Sequence, residues 1–322
     1  MIQYKAQRVA IITPVHNDGN FIADAFDSVQ SQTYPNIVHF VLDNASTDQT
    51  SEICEKYSRR RVPVVVLRNK NFLPLCKNWN KAVEIGAAGS DYFRILCADD
   101  TMPPDSIAKM VALATSSPEV ALVCCQQQTA NGRETCGWDS TRSVFSGHEA
   151  LRECLLGRAW FSAPHLLYRT DVTTLRTPFF DPSLMAIDTD IAFHILAAGE
   201  AFGFIHEPLG FTRFHDASIT RTRLKPMHRD YYDWHVLLHR YGGEVLTPQE
   251  RAERLKGFRR HYFGRLLVWR FKHGNRAAYT WHLKALAAIG NEPDALAFLD
   301  SLLHFGLRKL GLRERGYGWP EG

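Results

Sequence analysis

The stretch VAIITPVHNDGNFIADAFDSVQSQTYPNIVHFVLDNASTDQT, residues 9–50, has the pattern of a strand, a helix and a second strand. The apolar, β-branched runs at 9–13 and 38–43 are typical of strands buried on both faces, as in a parallel sheet. The residues between them place an apolar stripe on one helix, made of Phe21, Ile22, Ala25, Phe26 and Val29. Parallel strands joined by a helix are the repeating unit of an α/β fold.

The same alternation continues to about residue 130. Further strands are predicted at 62–68, 92–97 and 120–125, and further helices at 46–57, 74–86 and 104–115. Ser46 and Thr47 are expected to cap the helix at 46–57, and Pro104 suits the first turn of the helix at 104–115. The sequence therefore predicts an α/β sheet with helices on both faces.

The pattern loosens after residue 130. A polar loop at 129–143 precedes a short amphipathic helix at 146–157, and a loop followed by a helix occupies 180–199. A strand-like run follows at 201–215. The remainder, 226–322, is predicted to be helical.

Composition narrows the class of protein. The chain has 322 residues, is 45% hydrophobic and has a net charge of +4, which fits a folded protein with a substantial core. Its seven cysteines are odd in number and lack CxxC spacing, so neither a disulfide framework nor a structural zinc site is expected. Reduced thiols, and the lack of a long apolar N-terminal stretch, predict a cytoplasmic location.

Polar residues follow four of the predicted strands, in the sequences TPVHN, LDNAS, LRNKN and LCADD. Ligands of open α/β sheets bind beyond the carboxyl ends of the strands, so Asp43 and Asp99 are expected in one cleft. Neither a GxGxxG nor a GxxxxGK[ST] phosphate loop is present. Carboxylates there can bind Mn²⁺ or Mg²⁺, which neutralises a diphosphate, while a third acid acts as a general base.

These residues, taken together, resemble glycosyltransferase family 2, whose members have the GT-A fold. Its opening block is matched in order and spacing by Pro14, His16 and Asn17, by 28–33 and by 43–50. The segments 69–105, 180–199 and 207–220 resemble its later blocks, so the resemblance covers roughly residues 8–220.

The resemblance implies roles for individual positions. Asp43 matches the acid that hydrogen-bonds the nucleotide base, typically uracil, and His16 stands where the family usually has a stacking Tyr. Asp99 matches the acid that contacts the metal and the donor, and His215 matches a histidine that reaches the metal or diphosphate in some members. Asp188 matches the catalytic base, with Asp190 as its competitor. The full set of expected donor-binding residues is Thr13, Pro14, Val15, His16, Asn17, Asp43, Asn71, Lys77, Asn80, Ala98, Asp99 and Asp100.

Two departures from the family pattern concern the predicted acids. Cys97 stands where the family often has Asp, which weakens the expected metal site without removing it. Ile187 stands where the family often has Glu, and a hydrophobic neighbour can raise the pKa of Asp188 in the direction useful for a base.

The C-terminal region is basic and aromatic. Ten lysine or arginine residues lie within 251–284, opposed by Glu253, with seven Phe, Tyr and Trp residues between them. Such a segment either packs its aromatic residues onto the main domain or lies on an anionic membrane surface. Nucleic-acid binding is the weaker alternative.

The sequence thus predicts a GT-A type α/β domain at 1–222, with a nucleotide-binding half at 1–128 and an acceptor-side half at 129–222. A basic helical region follows at 223–322. The chain is predicted to be an inverting, metal-dependent transferase that moves a sugar from a UDP-sugar to a glycan or lipid-linked acceptor. The predicted process is bacterial polysaccharide biosynthesis. The alternatives are a sugar nucleotidyltransferase and a catalytically weakened nucleotide-sugar-binding module. Peripheral contact with the inner face of the membrane through 251–284 is a further expectation.

Overall fold

The computed structural model describes residues 6–57, 60–134 and 136–309. Two compact units are present. The first comprises the described residues of 1–150, 159–183 and 187–214, and the second comprises those of 151–158, 184–186 and 215–309. The predicted C-terminal helical region extends to residue 322, and its last part, from 310, lies outside the described residues.

The first unit is organised around one sheet, ordered β3-β2-β1-β4-β8-β5-β9-β7, with β6 beside β5. Its strands are β1 (Val9–Val15), β2 (Ile37–Asp43), β3 (Val64–Arg68), β4 (Tyr92–Ile95), β5 (Val120–Thr129), β6 (Gly132–Arg133), β7 (Val144–Phe145), β8 (Leu167–Arg169) and β9 (Ala201–Thr212). Strand β1 pairs in parallel with both β2 and β4, and β5 pairs in parallel with β9. The predicted, mostly parallel sheet is confirmed.

Strand β8 was not predicted. It runs antiparallel between β4 and β5 and contains only three residues, too few to show a period in the sequence. Its partners, and not its own composition, make it a strand.

Six helices begin in the first unit: α1 (Ile22–Gln30), α2 (Thr50–Lys56), α3 (Leu75–Gly86), α4 (Ser106–Ser116), α5 (Gly147–Leu156) and α6 (Ile187–Ala197). Short 3₁₀ turns occupy Ala163–His165 and Thr170–Thr174. Helix α1 buries Ile22, Ala25, Phe26 and Val29, as the apolar stripe predicts. Ile22 and Phe26 belong to the apolar cluster at the end of β1, and Ala25 and Val29 belong to the cluster at its beginning.

The predicted caps of α2 and α4 are wrong. Helix α2 begins at Thr50, because Ser46 and Thr47 belong to the preceding turn. There the Ser46 N–H donates to Asp43 Oδ1 at 2.9 Å and the Thr47 N–H donates to Asn17 Oδ1 at 2.8 Å. Helix α4 begins at Ser106, so Pro104 precedes its first turn.

A buried polar layer connects β4 to β9. The fully buried Arg94 guanidinium approaches the Leu209 carbonyl and His165 Nδ1, each at 3.4 Å. Burial, and then the charge of Arg94, lowers the pKa of His165 to about 3, so the ring is neutral and its Nε2–H can donate to Thr212 Oγ1 at 3.0 Å. The His165 ring packs directly against Gly210. A β-carbon at Gly210 would come within 2.6 Å of the ring, so the position requires glycine. This layer fixes the end of β9 close to the residues that follow β4.

The second unit is helical. It contains α7 (Lys225–Met227), α8 (Arg229–Val245), α9 (Pro248–Leu267), α10 (Arg276–Ala288) and α11 (Ala295–Lys309), with π-helical turns at Thr220–Leu224 and Val268–Lys272. Thr247 and Glu250 form a capping box at the start of α9. The core of this unit is aromatic, since Phe258, Tyr262, Phe263 and Trp269 are all buried. Most of the aromatic residues interleaved with the basic ones therefore face inward.

None of the helices in the described ranges combines the length and hydropathy that a membrane-spanning segment requires.

The close packing of Gly210 makes a testable prediction. Gly210→Ala should lower the free energy of unfolding by about 1–3 kcal/mol, because a methyl group would overlap the fixed His165 ring. Gly264→Ala is the matched control: its new β-carbon would meet Ser301 at an ordinary 3.9 Å, inside a helix that favours alanine. Denaturant titrations followed by circular dichroism measure both. Equal stability of the two variants would contradict the packing described here.

Candidate active site

The turn after β1 carries an aromatic pair that faces solvent. His16 Nδ1 contacts the Asn44 carbonyl at 2.9 Å, which ties the end of β1 to the loop after β2. Phe72 meets the His16 ring edge-on at 4.8 Å and is 48% exposed. Asn17 adopts φ +56° and donates its N–H to Ser46 Oγ at 3.0 Å. The two rings form an open surface on which a planar base can stack.

The residues preceding this turn support it from within. Thr13, Pro14 and Val15 are buried at the end of β1, and Thr13 Oγ1 lies 2.9 Å from His39 Nε2. Of the five predicted residues at 13–17, only His16 and Asn17 are exposed. Thr13, Pro14 and Val15 therefore support the turn from the interior of the protein.

Asp43 ends β2 with its carboxylate almost fully buried. Its Oδ1 accepts the Ser46 N–H at 2.9 Å, and its Oδ2 accepts the Ser51 hydroxyl at 2.6 Å. Arg68, which sequence reasoning missed, brings its Nε to 3.6 Å from Oδ2 and donates to the Ser46 carbonyl at 2.7 Å. A carboxylate has about four acceptor positions, so Asp43 retains capacity for a further donor.

An asparagine network lies beside this carboxylate and was also missed. Asn69 Nδ2 donates to Asn44 Oδ1 at 2.9 Å and to Asn78 Oδ1 at 2.8 Å, while Lys81 Nζ donates to Asn69 Oδ1 at 2.7 Å. Asn44 also pairs with both backbone groups of Leu73. The polar residues at strand ends were the available signal, but sequence could not tell which asparagines face inward.

Three predicted donor residues on or before α3 have different surroundings. Asn71 and Lys77 are exposed. Asn80 uses its amide on the backbone of Phe180, accepting its N–H at 2.7 Å and donating to its carbonyl at 3.0 Å. Asn80 thereby holds the segment that leads into α6, an arrangement that involves residues far apart in the sequence.

The acidic cluster follows β4. Ligand atoms of Cys97, Asp99 and Asp100 lie within 4.8 Å of one another, the one such set of three that the described part of the chain contains. Ala98 between them is buried. The Arg213 N–H donates to Asp100 Oδ1 at 3.0 Å, and its Nε donates to the Asp99 carbonyl at 3.2 Å. Arg213 thus connects the end of β9 to the acids, a role that the sequence pattern did not suggest.

The electrostatics of this cluster favour a cation. Burial, and then the charge of Asp99, raises the pKa of Asp100 to about 7, although Arg94 and Arg213 oppose that increase. Burial also raises the pKa of the Cys97 thiol well above its ordinary value, and the charges of Asp100 and Asp99 raise it further. Cys97 is therefore a neutral thiol at physiological pH, and the oxygen atoms of the two carboxylates are the ligands that suit Mn²⁺ or Mg²⁺.

The two candidate bases at the start of α6 differ in their surroundings. Asp190 is fully buried and pairs with Arg176 at 2.7 Å. Asp188 is half-buried, and the Thr189 N–H donates to its Oδ1 at 2.7 Å. Burial raises the pKa of Asp188, and its negative charge is close enough to raise the pKa of Cys97. Asp188 is thus the acid of this pair that acts electrostatically on the residues after β4.

His215 lies at the start of the second unit and is half-buried. Its carbonyl accepts the Ser218 N–H at 3.2 Å. The cluster of Cys97, Asp99 and Asp100 does not include it, and its role as a metal ligand stays a prediction.

A family model described as Glycosyl transferase family 2 matches residues 10–192, more than half of the chain. The chain belongs to glycosyltransferase family 2. This family 2 glycosyltransferase is a transferase, as its sequence predicts, and the family match favours that prediction over the nucleotidyltransferase alternative.

Individual proteins show the same similarity. An uncharacterised glycosyltransferase of Rickettsia typhi is 24% identical over 282 residues, covering 84% of this chain and 82% of the relative. The crystal structure of S. aureus TarS 1-349 in complex with UDP-GlcNAc superposes with a TM-score of 0.69 at 16% identity, covering 98% of this chain and 99% of the TarS 1-349 chain. The mannosyltransferase PcManGT from Pyrobaculum calidifontis, in complex with GDP-Man and Mn²⁺, has a TM-score of 0.57 at 18% identity, covering 97% and 82%. The expected GT-A fold is confirmed.

The two acids of α6 should respond differently to neutralisation. Asp190→Asn should lower the free energy of unfolding by about 3 kcal/mol, because it leaves the Arg176 charge without its buried partner. Asp188→Asn, the matched control, should leave stability unchanged or slightly higher at neutral pH. Because the pKa of Asp188 is raised in the folded protein, folding disfavours its ionised form. Removing the charge therefore removes an unfavourable contribution to the free energy of folding. Chemical unfolding at pH 7.5 compares them, and equal losses would contradict the assignment.

Proposed function

We propose that this family 2 glycosyltransferase moves a sugar from a UDP-sugar to a hydroxyl group of a glycan or lipid-linked acceptor, with inversion at the anomeric carbon. The observation that carries the proposal is the cluster of Cys97, Asp99 and Asp100, with Asp188 near enough for its charge to raise the pKa of Cys97, while Asp190 is paired with Arg176. That grouping supplies acids for a diphosphate-bound cation and a separate acid for the acceptor.

The base preference rests on Asp43. Its carboxylate can accept the imide N–H of uracil, an edge that thymine shares, while the exposed His16 and Phe72 rings offer a stacking surface. The UDP-GlcNAc held by TarS supports a uridine donor, and the GDP-Man held by PcManGT shows that the fold also accepts guanosine. The division into a donor half at 1–128 and an acceptor-side half at 129–222 belongs to this proposal.

Asp99 and Asp100 would hold a divalent cation, and the Mn²⁺ of PcManGT supports that assignment. Bound there, Mn²⁺ or Mg²⁺ stabilises negative charge on the departing diphosphate. Both residues offer oxygen atoms, and a cation between them would offset the burial and the repulsion by Asp99 that together raise the pKa of Asp100. Arg213 holds Asp100 in place through its backbone N–H.

Asp188 acts as the general base. Its carboxylate accepts the proton of the acceptor hydroxyl as that oxygen forms a bond to the anomeric carbon. The bond between this carbon and the diphosphate oxygen breaks, and its electron pair leaves with the nucleoside diphosphate. Attack from the face opposite the leaving group inverts the anomeric configuration. Because the reaction is a single displacement, one general base is sufficient.

A thermal-shift screen tests the donor and the metal together. UDP with Mn²⁺ should raise the melting temperature more than ADP, CDP or GDP with Mn²⁺, because a ligand that binds the folded state stabilises it. Asp99→Ala should abolish the Mn²⁺-dependent part of that increase, whereas the control Cys97→Ala should retain it, since its thiol is neutral. Loss of the shift in Cys97→Ala, or its retention in Asp99→Ala, would contradict the metal assignment.

Transfer assays test the base. With a verified donor and acceptor, Asp188→Asn should lower kcat by about 10²–10⁴-fold while the UDP-dependent thermal shift persists. The wild-type rate should fall as the pH drops through the raised pKa of Asp188, at higher pH than for an exposed aspartate, because only the deprotonated form accepts a proton. Near-wild-type transfer by the variant, or a product whose anomeric configuration matches that of the donor, would refute the mechanism.

A further inference from the structure

Helix α11 exposes an apolar face that the sequence analysis did not single out. Leu296, Leu299, Leu302 and Leu303 are each between 53% and 73% exposed. Their spacing of three, four and seven residues places them along one side of the helix. We call these four residues the leucine face.

Contacts within the second unit hold the leucine face outward. On the opposite side of α11, Ser301 is buried and Phe298 packs against Phe263 with ring centroids 6.2 Å apart. Asp300 accepts two hydrogen bonds from Arg260, at 2.6 and 2.7 Å. Because these contacts attach α11 to α9 by its other side, the four leucines cannot turn inward without breaking them.

Basic residues lie on α9, the helix that α11 packs against. Lys256, Arg259 and Arg260 of α9 line a groove of about 250 Å³ together with Ala297 and Asp300 of α11. Residues 251–309 contain twelve of the chain's 38 lysines and arginines but four of its 34 acidic residues. The rest of the chain is therefore net negative, and the excess positive charge belongs to the segment that contains α9, α10 and α11.

We propose that the leucine face of α11, together with the basic residues of the neighbouring helix α9, binds the surface of an anionic phospholipid bilayer. Exposed leucines enter the boundary between head groups and acyl chains, and adjacent lysine and arginine residues attract the anionic head groups. The aromatic residues expected to face lipid are mostly in the core, so α11 supplies the apolar part of the contact.

A second copy of the chain fits this face less well. A helix of 15 residues offers a strip about 22 Å long and about 10 Å wide, whereas a stable interface takes about 800 Å² from each partner. A two-fold symmetric pairing would also bring two basic segments together, because both partners use the same surface. A bilayer meets neither difficulty, since it is anionic and deforms around a narrow strip.

Vesicle flotation of the full-length protein tests the proposal without any sugar donor or acceptor, so its result is independent of the proposed transfer. The wild type should float with vesicles of phosphatidylcholine and phosphatidylglycerol at 150 mM salt, and much less with phosphatidylcholine alone. Leu299→Glu/Leu303→Glu should need at least about ten-fold more lipid for half-maximal binding, since it removes two apolar contacts. Circular dichroism checks that the variant keeps its helices, because glutamate favours exposed helical positions.

The charge-matched control is Ala277→Glu/Thr280→Glu, which adds the same two charges to exposed positions of α10. It should retain most of the vesicle binding. Equal loss in both variants would show that net charge alone drives binding and would overturn the role of the leucine face. Absence of wild-type binding to anionic vesicles would overturn the whole proposal. A wild-type dimer that the leucine variant converts to a monomer, seen by light scattering without vesicle binding, would assign the face to a second copy.

Discussion

Strand β1 forms parallel ladders with β2 on one side and β4 on the other, and the remaining features of the site depend on this pairing. Its register sets Val15 opposite Asp43 and Ile12 opposite Ile95. All three strands therefore end at the same edge of the sheet, with Asp43 on one side and the acids after β4 on the other. Because side chains alternate between faces, a slip of one residue would move these groups to opposite sides of the sheet.

The carboxylates close together at this edge destabilise the folded protein when they are ionised, and nearby arginines offset only part of that effect. The raised pKa values of Asp100 and Asp188 show that burial disfavours their ionised forms. The charges of Arg94, in the core, and of Arg213, after the end of β9, lower the pKa of Asp100 and so oppose this effect. Arg94 belongs to the buried polar layer that includes His165, so packing within the core influences the charge in the cleft. Perturbed carboxylates grouped in this way are typical of functional sites.

Much of the fold could be predicted, because its signals are local. The six longer strands, the helices between them and the apolar stripe of α1 follow from runs and periods within about a dozen residues. Strand β8 and the start of α2 could not be predicted, because a three-residue strand exists only through its neighbours and Ser46 is used by Asp43 and Asn17. The asparagine network and the Asn80 contact with Phe180 could not be predicted for the same reason, because each requires partners that are distant in the chain.

The sequence by itself determined the fold class and the family and predicted the acids of the site, because patterns of apolar residues and ordered motifs are visible without coordinates. Tertiary structure decided how the surroundings of these acids differ. Asp188 and Asp190 are two residues apart and chemically identical, and they differ in burial and in the ion pair that Asp190 makes with Arg176. It also decided that the aromatic residues of the C-terminal region form a core while the leucines of α11 face outward. Burial and pairing are properties of three-dimensional neighbours, and a periodic sequence shows which residues share a face but not what covers it.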